Sequence, residues 1–515
     1  MNRRGFLSGA ALFGTVAGVG GGLALAGCAV PEDTIPSRGG ALRLGMTGGS
    51  TSDSLDPRTF VDWVPINIGY QIMNGLVEID AQGNAVPELF QSWEAQPGAI
   101  EWTFKIRRDV VFHNGKTLDA DDVVYSINLH RGNTTSAAQG AVENILDVRK
   151  LDLTQVRITL RGGDAELPAT LADYRLLVAP DGFTDWANPI GTGAYKLETF
   201  EPGVRCITTK AGSYWKPDAG HVEAIEVLVI NDAVARVNAL ISGQVDIINR
   251  IDGRTADLLK RNKHFQVIRS QTGQYAVFAM NCESDLYGNN DIRLALKYAI
   301  DRERIIKTVL NGYGVAGNDQ PIPRTSPYYN TDLGQRRYDP DRARFHLKKA
   351  GKGGLDVTLQ VSDAAFSGAV DAAVLYQAAA TGAGVTLNVK REPADGYWSS
   401  VWMRAPFCAS YSDGRITVDG ALSKAYKSTS TANDSRWRRP DFDKMANEAR
   451  AELDPSKRKA LYAECQRMIH DDAGALIPMF MDHIEAGTSK VQGWKPSAIF
   501  DFMGQRIGEK VWLAS

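Results

Sequence analysis

Apolar and polar positions alternate most legibly in "PGAIEWTFKIRRDVVFHNGKTLDADDVVYSINLHR", residues 97–131. Trp102, Phe104 and Ile106 fall on one face of a strand, and Val110 and Phe112 predict a second strand before the Asn114-Gly115 turn. Asp119 then caps a helix carrying Val123, Val124 and Ile127, with acids in its first turn. Further on, "AYKLETF" reads as a strand after a Gly-rich turn, and "AIEVLVINDAVARVNALISGQVDIINRID" as strand, helix, Gly243 C-cap and strand. "YAVFAMN" predicts another strand. "DIRLALKYAIDRERIIKTVLNGYG" predicts two helices capped by Asp291 and Asp301 and stopped at Gly312. "LDVTLQVS" and "GVTLNVKRE" flank a helix over 369–381 in a βαβ pattern. Two capped helices follow in "DFDKMANEARAEL" and "DPSKRKALYAECQRMIHDD", the second with Pro455 at its first position. Strands and helices alternating over most of a chain imply α/β lobes with helix-covered sheets.

At 515 residues the chain is long enough for two or three domains. Its 58 Lys and Arg against 60 Asp and Glu leave no basic field for nucleic acid. The first 28 residues differ from the rest. Arg3 and Arg4 precede Phe6 and Leu7, and an uncharged run then reaches Cys28. Its six glycines make a poor spanning helix, so the segment reads as a cleavable export signal of twin-arginine character. "LAGC", ending at Cys28, resembles a lipobox in which Cys28 is lipidated and becomes the new N-terminus; "ALA" at 24–26 is the alternative, a cleavage site that releases a soluble protein. Removing residues 1–27 leaves 56 cationic against 60 acidic side chains. A polar tether over 28–39 follows.

Chemistry-bearing motifs are sparse. Cys206, Cys282, Cys408 and Cys465 are widely spaced with no C-x-x-C, which offers nothing to zinc ribbons or thioredoxin chemistry. The seven histidines form neither H-x-x-x-H nor H-E-x-x-H. "GTG" at 191–193 precedes a strand and lacks the rest of a phosphate loop, so it reads as a tight turn. With no nucleophile elbow and no metal cluster, a hydrolase has no visible machinery. The densest chemistry is "FCASYSDGRITVDG", residues 407–420, where Asp413-Gly414 is either an exposed turn or part of a ligand clasp. Tyr397, Trp398, Trp402 and Phe407 lead into it, either as core or as an aromatic wall against a ligand.

Several segments taken in order carry a resemblance: "SDSLDPRTF", "VPELFQSWEA…EWTFKIRRDVVFHNGKTLDADDVVYS", "NPIGTGAYKL", "ISGQVDI", "IRLALKYAIDRERI", "YDPDRARFHLKKAG" and "FDKMANEARAELDPSKRKALYAECQRMIHDDAGALIPMF". Together they resemble the family 5 extracellular solute-binding proteins, the oligopeptide- and dipeptide-binding subunits of ABC importers. The resemblance implies a two-lobed periplasmic binding protein fold of the cluster C type, with an extra subdomain and hinge closure on ligand. Lobe one would comprise 40–75, 190–275 and 488–515, the subdomain 76–189, and lobe two 276–487. It implies a binding protein, not an enzyme, with no cofactor, expected as a monomer. The protein would hand short peptides to a membrane permease powered by separate ATPase subunits. An opine, glutathione, an oligosaccharide or a nickel chelate is the alternative cargo, and for a nickel chelate His470 or His483 would matter. Site residues implied are Asp53, Phe60, Tyr275, Asn281, Trp398, Trp402, Ser410, Asp413, Arg415 and Phe480. In peptide-binding members an aspartate in this loop pairs with the ligand's α-ammonium. Here that position falls on Ser410, which carries no charge, or on Asp413, while Arg415 can grip a carboxylate.

Overall fold

Two sheets and a smaller third one organise the computed structural model, which describes residues 36–132 and 134–514. The export segment and Cys28 lie outside the described residues. The first sheet has seven strands in the spatial order Phe265–Ser270, His483–Thr488, Ile247–Ile248, Ala41–Met46, Ala224–Val229, Arg205–Lys210 and Tyr195–Glu201. Its core gathers Leu42, Leu44, Ile225 and Val227 under the helix Trp63–Ile72, which is buried along nearly all of its length. The second sheet has six strands in the order Gly314–Ala316, Ala475–Met481, Tyr275–Met280, Phe407–Ser412, Leu355–Val361 and Val385–Arg391. The last two are parallel and joined by the helix Ala369–Thr381, whose alanines pack closely on the sheet.

A four-stranded antiparallel sheet built on Phe90–Ala95, Glu101–Ile106, Gln155–Leu160 and Ile145–Asp152 forms the smaller body, with Trp102, Phe104 and Ile106 inward as the alternation requires. The helix Ala120–Asn128 covers it. Asp119 and Asp122 close a reciprocal capping box at the start of that helix.

Both chain connections of this smaller body run to the lobe of the first sheet, and a buried charge cluster fastens it there. Glu88, fully buried, accepts two 2.6 Å hydrogen bonds from the Arg506 guanidinium and one from Asn74 Nδ2 at 3.0 Å. Lys216 reaches Glu509 at 2.6 Å, Glu78 at 3.2 Å and Glu88 at 3.4 Å, and Lys510 pairs with Glu78. Burial pushes the Glu78 carboxyl up, yet the cations of Arg506, Lys216 and Lys510 outweigh it and hold it well below the usual range.

The chain crosses between the two large sheets twice, after Ser270 and at Asp482. His483–Thr488 pairs with Phe265–Ser270 along its whole length, Ser270 opposite His483, so the second crossing precedes the expected start at 488. Two local expectations also change. Val110 and Phe112 do not form a strand: only the bridge between Val111 and Thr117 exists, because the Asp119 cap begins two residues later and leaves no length for a ladder. The helix Asn290–Tyr298 is capped by Asn289, whose side chain accepts from Asp291 N, while Asp291 bonds His346. The GTG turn packs on the end of helix Trp63–Ile72: a Cβ on Gly193 would lie 2.4 Å from the Gln71 carbonyl oxygen. His113 Nε2 lies 2.9 Å from Gly193 O. Among the described residues no helix is long and apolar enough to cross a membrane.

Candidate functional site

The strand Phe407–Ser412 lies inside the second sheet, with Ser410 opposite Val277 and Ser412 opposite Tyr275. Interior position buries its first four residues, and only Tyr411 and Ser412 emerge at the carboxyl end. Beyond it the chain does not turn back as a hairpin. It runs through Asp413, Gly414 and Arg415 into the helix Val418–Ala425, capped by Thr417. A Cβ on Gly414 would lie 2.7 Å from the Gly273 Cα, so these two glycines bring the loop into backbone contact with the first crossing segment. Gln274 Nε2 donates to Asp413 Oδ1 at 3.0 Å, tying the loop to the same crossing. We predict that Gly414→Val lowers stability by about 1–3 kcal/mol, because the loop and crossing must separate. An unchanged denaturation midpoint would count against that contact.

A cavity of about 100 Å³ opens above the end of this strand. Ser410, Tyr411 and Ser412 form its floor, Trp398, Trp402 and Tyr275 its walls, and Tyr426 and Lys424 approach from the following helix. Trp398 holds the aromatic wall together, edge-on to Trp402 at 5.8 Å and to Tyr411 at 5.7 Å between ring centroids. Asp434 supplies the cavity's carboxylate. Burial pushes its carboxyl up to about 6; the Trp402 Nε1–H, itself short of hydrogen-bond geometry, and Ser410 pull it back only in part. Tyr275 and Ser412 also line a second cavity of about 410 Å³, which continues past Asp413 and Arg415 towards Trp93 and Glu166.

Cations face this region from both sides. Lys424 is pushed down by burial and by Arg415, against Asp413 and Asp434, and neither cation has an ion-pair partner among the described residues. From the other lobe, Arg250 lies over the Trp63 ring at 4.7 Å; burial and Asp413 push the Tyr411 phenol up, and the Arg250 charge offsets them only in part.

Of the residues the sequence singled out, the structure brings Tyr275, Trp398, Trp402 and Ser410 to the smaller cavity, and Asp413 and Arg415 to the larger. Phe480 packs on Tyr275 with centroids 5.6 Å apart. Phe480 lines neither cavity, and nor do three others. Phe60 is fully buried in the first lobe's core, its ring filling the space above Gly69. Asp53 closes a turn by accepting from Ser50 N and faces a separate groove with His113 and Trp186. Asn281, past the far end of its strand, accepts from Glu283 N. Tyr397 and Phe407 are core, Tyr397 donating to Ala409 O at 2.8 Å. His470 Nδ1 bonds Asn318 O, His483 is buried, and no cluster of three metal-ligating side chains exists among the described residues. The four cysteines are free. Asp434 escaped sequence reading because an acid within "TANDSRW" looks like a solvated turn; the uncharged Ser410 was the one hint that a charge must come from elsewhere.

Two large sheets crossed twice by the chain, with cavities at the carboxyl end of the strand Phe407–Ser412, define a two-lobed periplasmic binding protein. The structure of DppA from Helicobacter pylori in complex with the peptide STSA superposes with a TM-score of 0.74 at 22% identity, covering 93% of this chain and 99% of that one. The family model for bacterial extracellular solute-binding proteins, family 5, middle region, matches residues 84–434, and the chain belongs to that family. Heme-binding protein A of Haemophilus influenzae is 26% identical over 450 residues, 78% of this chain and 80% of that protein. Dipeptide-binding protein of Escherichia coli is 26% identical over 485 residues, 85% of this chain and 88% of that protein.

Proposed function

We propose that this protein captures short peptides bearing a free amine between its two lobes and delivers them to an ABC permease, without catalysing a reaction. The observation that carries the reading is Asp434. It is a carboxylate in an aromatic-walled cavity at the place where the strand's own residue, Ser410, is neutral. A desolvated ammonium needs a charged acceptor, and Trp398, Trp402 and Tyr411 add π faces around it. The relatives named for dipeptides and the solved peptide complex support this cargo. The chain acts as a monomer, exported by residues 1–27 and held at the membrane by a lipid on Cys28. A second reading has its own observation: Lys424 at the Asp434 cavity and Arg415 at the adjoining one, without ion-pair partners among the described residues, suit a compact zwitterion whose free carboxylate lies close to its ammonium, as in glutathione or an opine.

Mass spectrometry of the solute released from purified protein on denaturation separates the two readings, and release of neither peptide nor compact zwitterion sinks both. The pH dependence follows from Asp434. Burial holds its carboxyl up at about 6, so it is charged above that pH and neutral below. Trialanine should therefore raise the melting temperature at pH 7.5, and its affinity should fall about tenfold per pH unit below about 6. A trialanine affinity equal at pH 7.5 and pH 5 would remove Asp434 from the site.

A further inference from the structure

The smaller body also touches the lobe of the second sheet, where Ile416 and Leu453 pack on its core and one buried carboxylate bonds across. Glu166, 7% exposed, projects from its 162–166 loop and accepts from Val418 N at 3.2 Å and from Asp419 N at 2.9 Å, the first turn of the helix Val418–Ala425. The same carboxylate accepts from the Tyr462 hydroxyl at 2.8 Å, on the long helix Pro455–Asp472. Beside it, Ala165 N donates to Arg450 O at 2.6 Å. The helix that Glu166 holds by its first turn carries Lys424, and its C-cap is Tyr426; both line the Asp434 cavity.

The smaller body is fastened to the first lobe by the Glu88–Arg506 cluster and by both of its chain connections. Hinge motion about the two crossings therefore parts it from the second lobe, and the parting face runs between Glu166 and the three donors. Once parted, Val418 N and Asp419 N return to water, as does the carboxylate. Each bond exists only while the lobes are closed.

We propose that Glu166 is the closing clasp of this protein: a positioning residue that, on closure, fixes the helix Val418–Ala425 and with it the Lys424 and Tyr426 wall of the ligand cavity. It acts through this helix rather than by pairing with the solute's ammonium. Its contribution reaches binding by raising the fraction of closed, cavity-complete molecules, which multiplies the apparent affinity by the same factor. The effect on affinity rests on the binding reading above; the effect on closure does not.

Glu166→Gln keeps the volume but puts an NH2 against backbone and hydroxyl donors. It should shift the open-to-closed ratio about tenfold towards open. In small-angle X-ray scattering the solute-free variant should show a larger radius of gyration than wild type. Tyr462→Phe, which removes one of the three bonds and leaves the ring, should move the same way by less. With trialanine as probe, both variants should lose affinity in the order of their opening, while saturating trialanine restores the wild-type radius. The clasp is overturned if Glu166→Gln leaves the radius of gyration unchanged, or if Tyr462→Phe, serving as the folded substitute should Glu166→Gln fail to fold, does so. If wild type does not bind trialanine, the peptide reading falls, and the scattering of solute-free variants still decides the clasp.

Discussion

Asp434→Asn should weaken trialanine binding by about 30- to 150-fold, because an ammonium brought into the aromatic cavity loses the one carboxylate that lines it among the described residues. The substitution is isosteric, so the walls made by Trp398 and Trp402 stay in place. The amide still accepts one hydrogen bond but cannot neutralise charge. N-acetyl-trialanine provides the control, since it has no ammonium to pair: its weaker binding should be nearly indifferent to the change. Calorimetric titration of both peptides against both proteins gives a closed cycle, in which the coupling between the Asp434 charge and the ligand amine is read directly. Equal losses for the free and acetylated peptides would mean that Asp434 shapes the cavity without anchoring anything. In that event the unpaired Lys424 and Arg415 would become the principal charges, and an anionic head group the better cargo. Asp413→Asn is the matching negative control. Its carboxylate is exposed and already accepts from Gln274, so its loss should disturb the loop and leave the amine preference intact.

Local periodicity was enough for much of the fold. The alternation of Trp102, Phe104 and Ile106, the Asp119 cap and the βαβ unit around 369–381 each obey short-range rules that one stretch of sequence contains in full. What it does not contain is distance across the chain. Asp434 lies 24 residues beyond Ser410 and reaches the cavity only because a helix and a loop fold back over the strand end. Asp413 and Gly414 looked like a hairpin turn, since Asp-Gly favours one. The demand they meet is a backbone contact with Gly273, more than 130 residues away. Phe60 shows the converse case. A segment that resembles the family's opening segment, and whose Phe60 was expected at the ligand, turns its aromatic ring inward, where the missing Cβ of Gly69 leaves a space that fits the ring. Aromatic residues near the loop divided the same way: Tyr397 found an acceptor in the core, whereas Trp398 remained 39% exposed at the cavity.

Glu88→Gln should destabilise the chain by about 3–5 kcal/mol, far more than any surface ion pair, because it leaves the buried Arg506 cation without its bidentate partner. Asn74 and Lys216, which share the same carboxylate, lose an acceptor as well. Arg506 retains Glu509 at 3.5 Å, a longer and already shared contact, so compensation is partial. A chemical denaturation midpoint measures the loss; a change below about 1 kcal/mol would mean that the cluster is solvated and holds nothing. The consequence for binding is separable from the consequence for stability. If this cluster is what makes the smaller body follow the first lobe, loosening it lets that body stay with the second lobe through Glu166 and Arg450 when the cleft opens. Closure would then no longer depend on the Glu166 contact. In Glu88→Gln, at a temperature where the protein remains folded, Glu166→Gln should therefore change trialanine affinity much less than it does in the wild type. Unaltered sensitivity in the double variant would place the fastening of the smaller body elsewhere, in the apolar contacts that Trp215 and Ile190 make with its core.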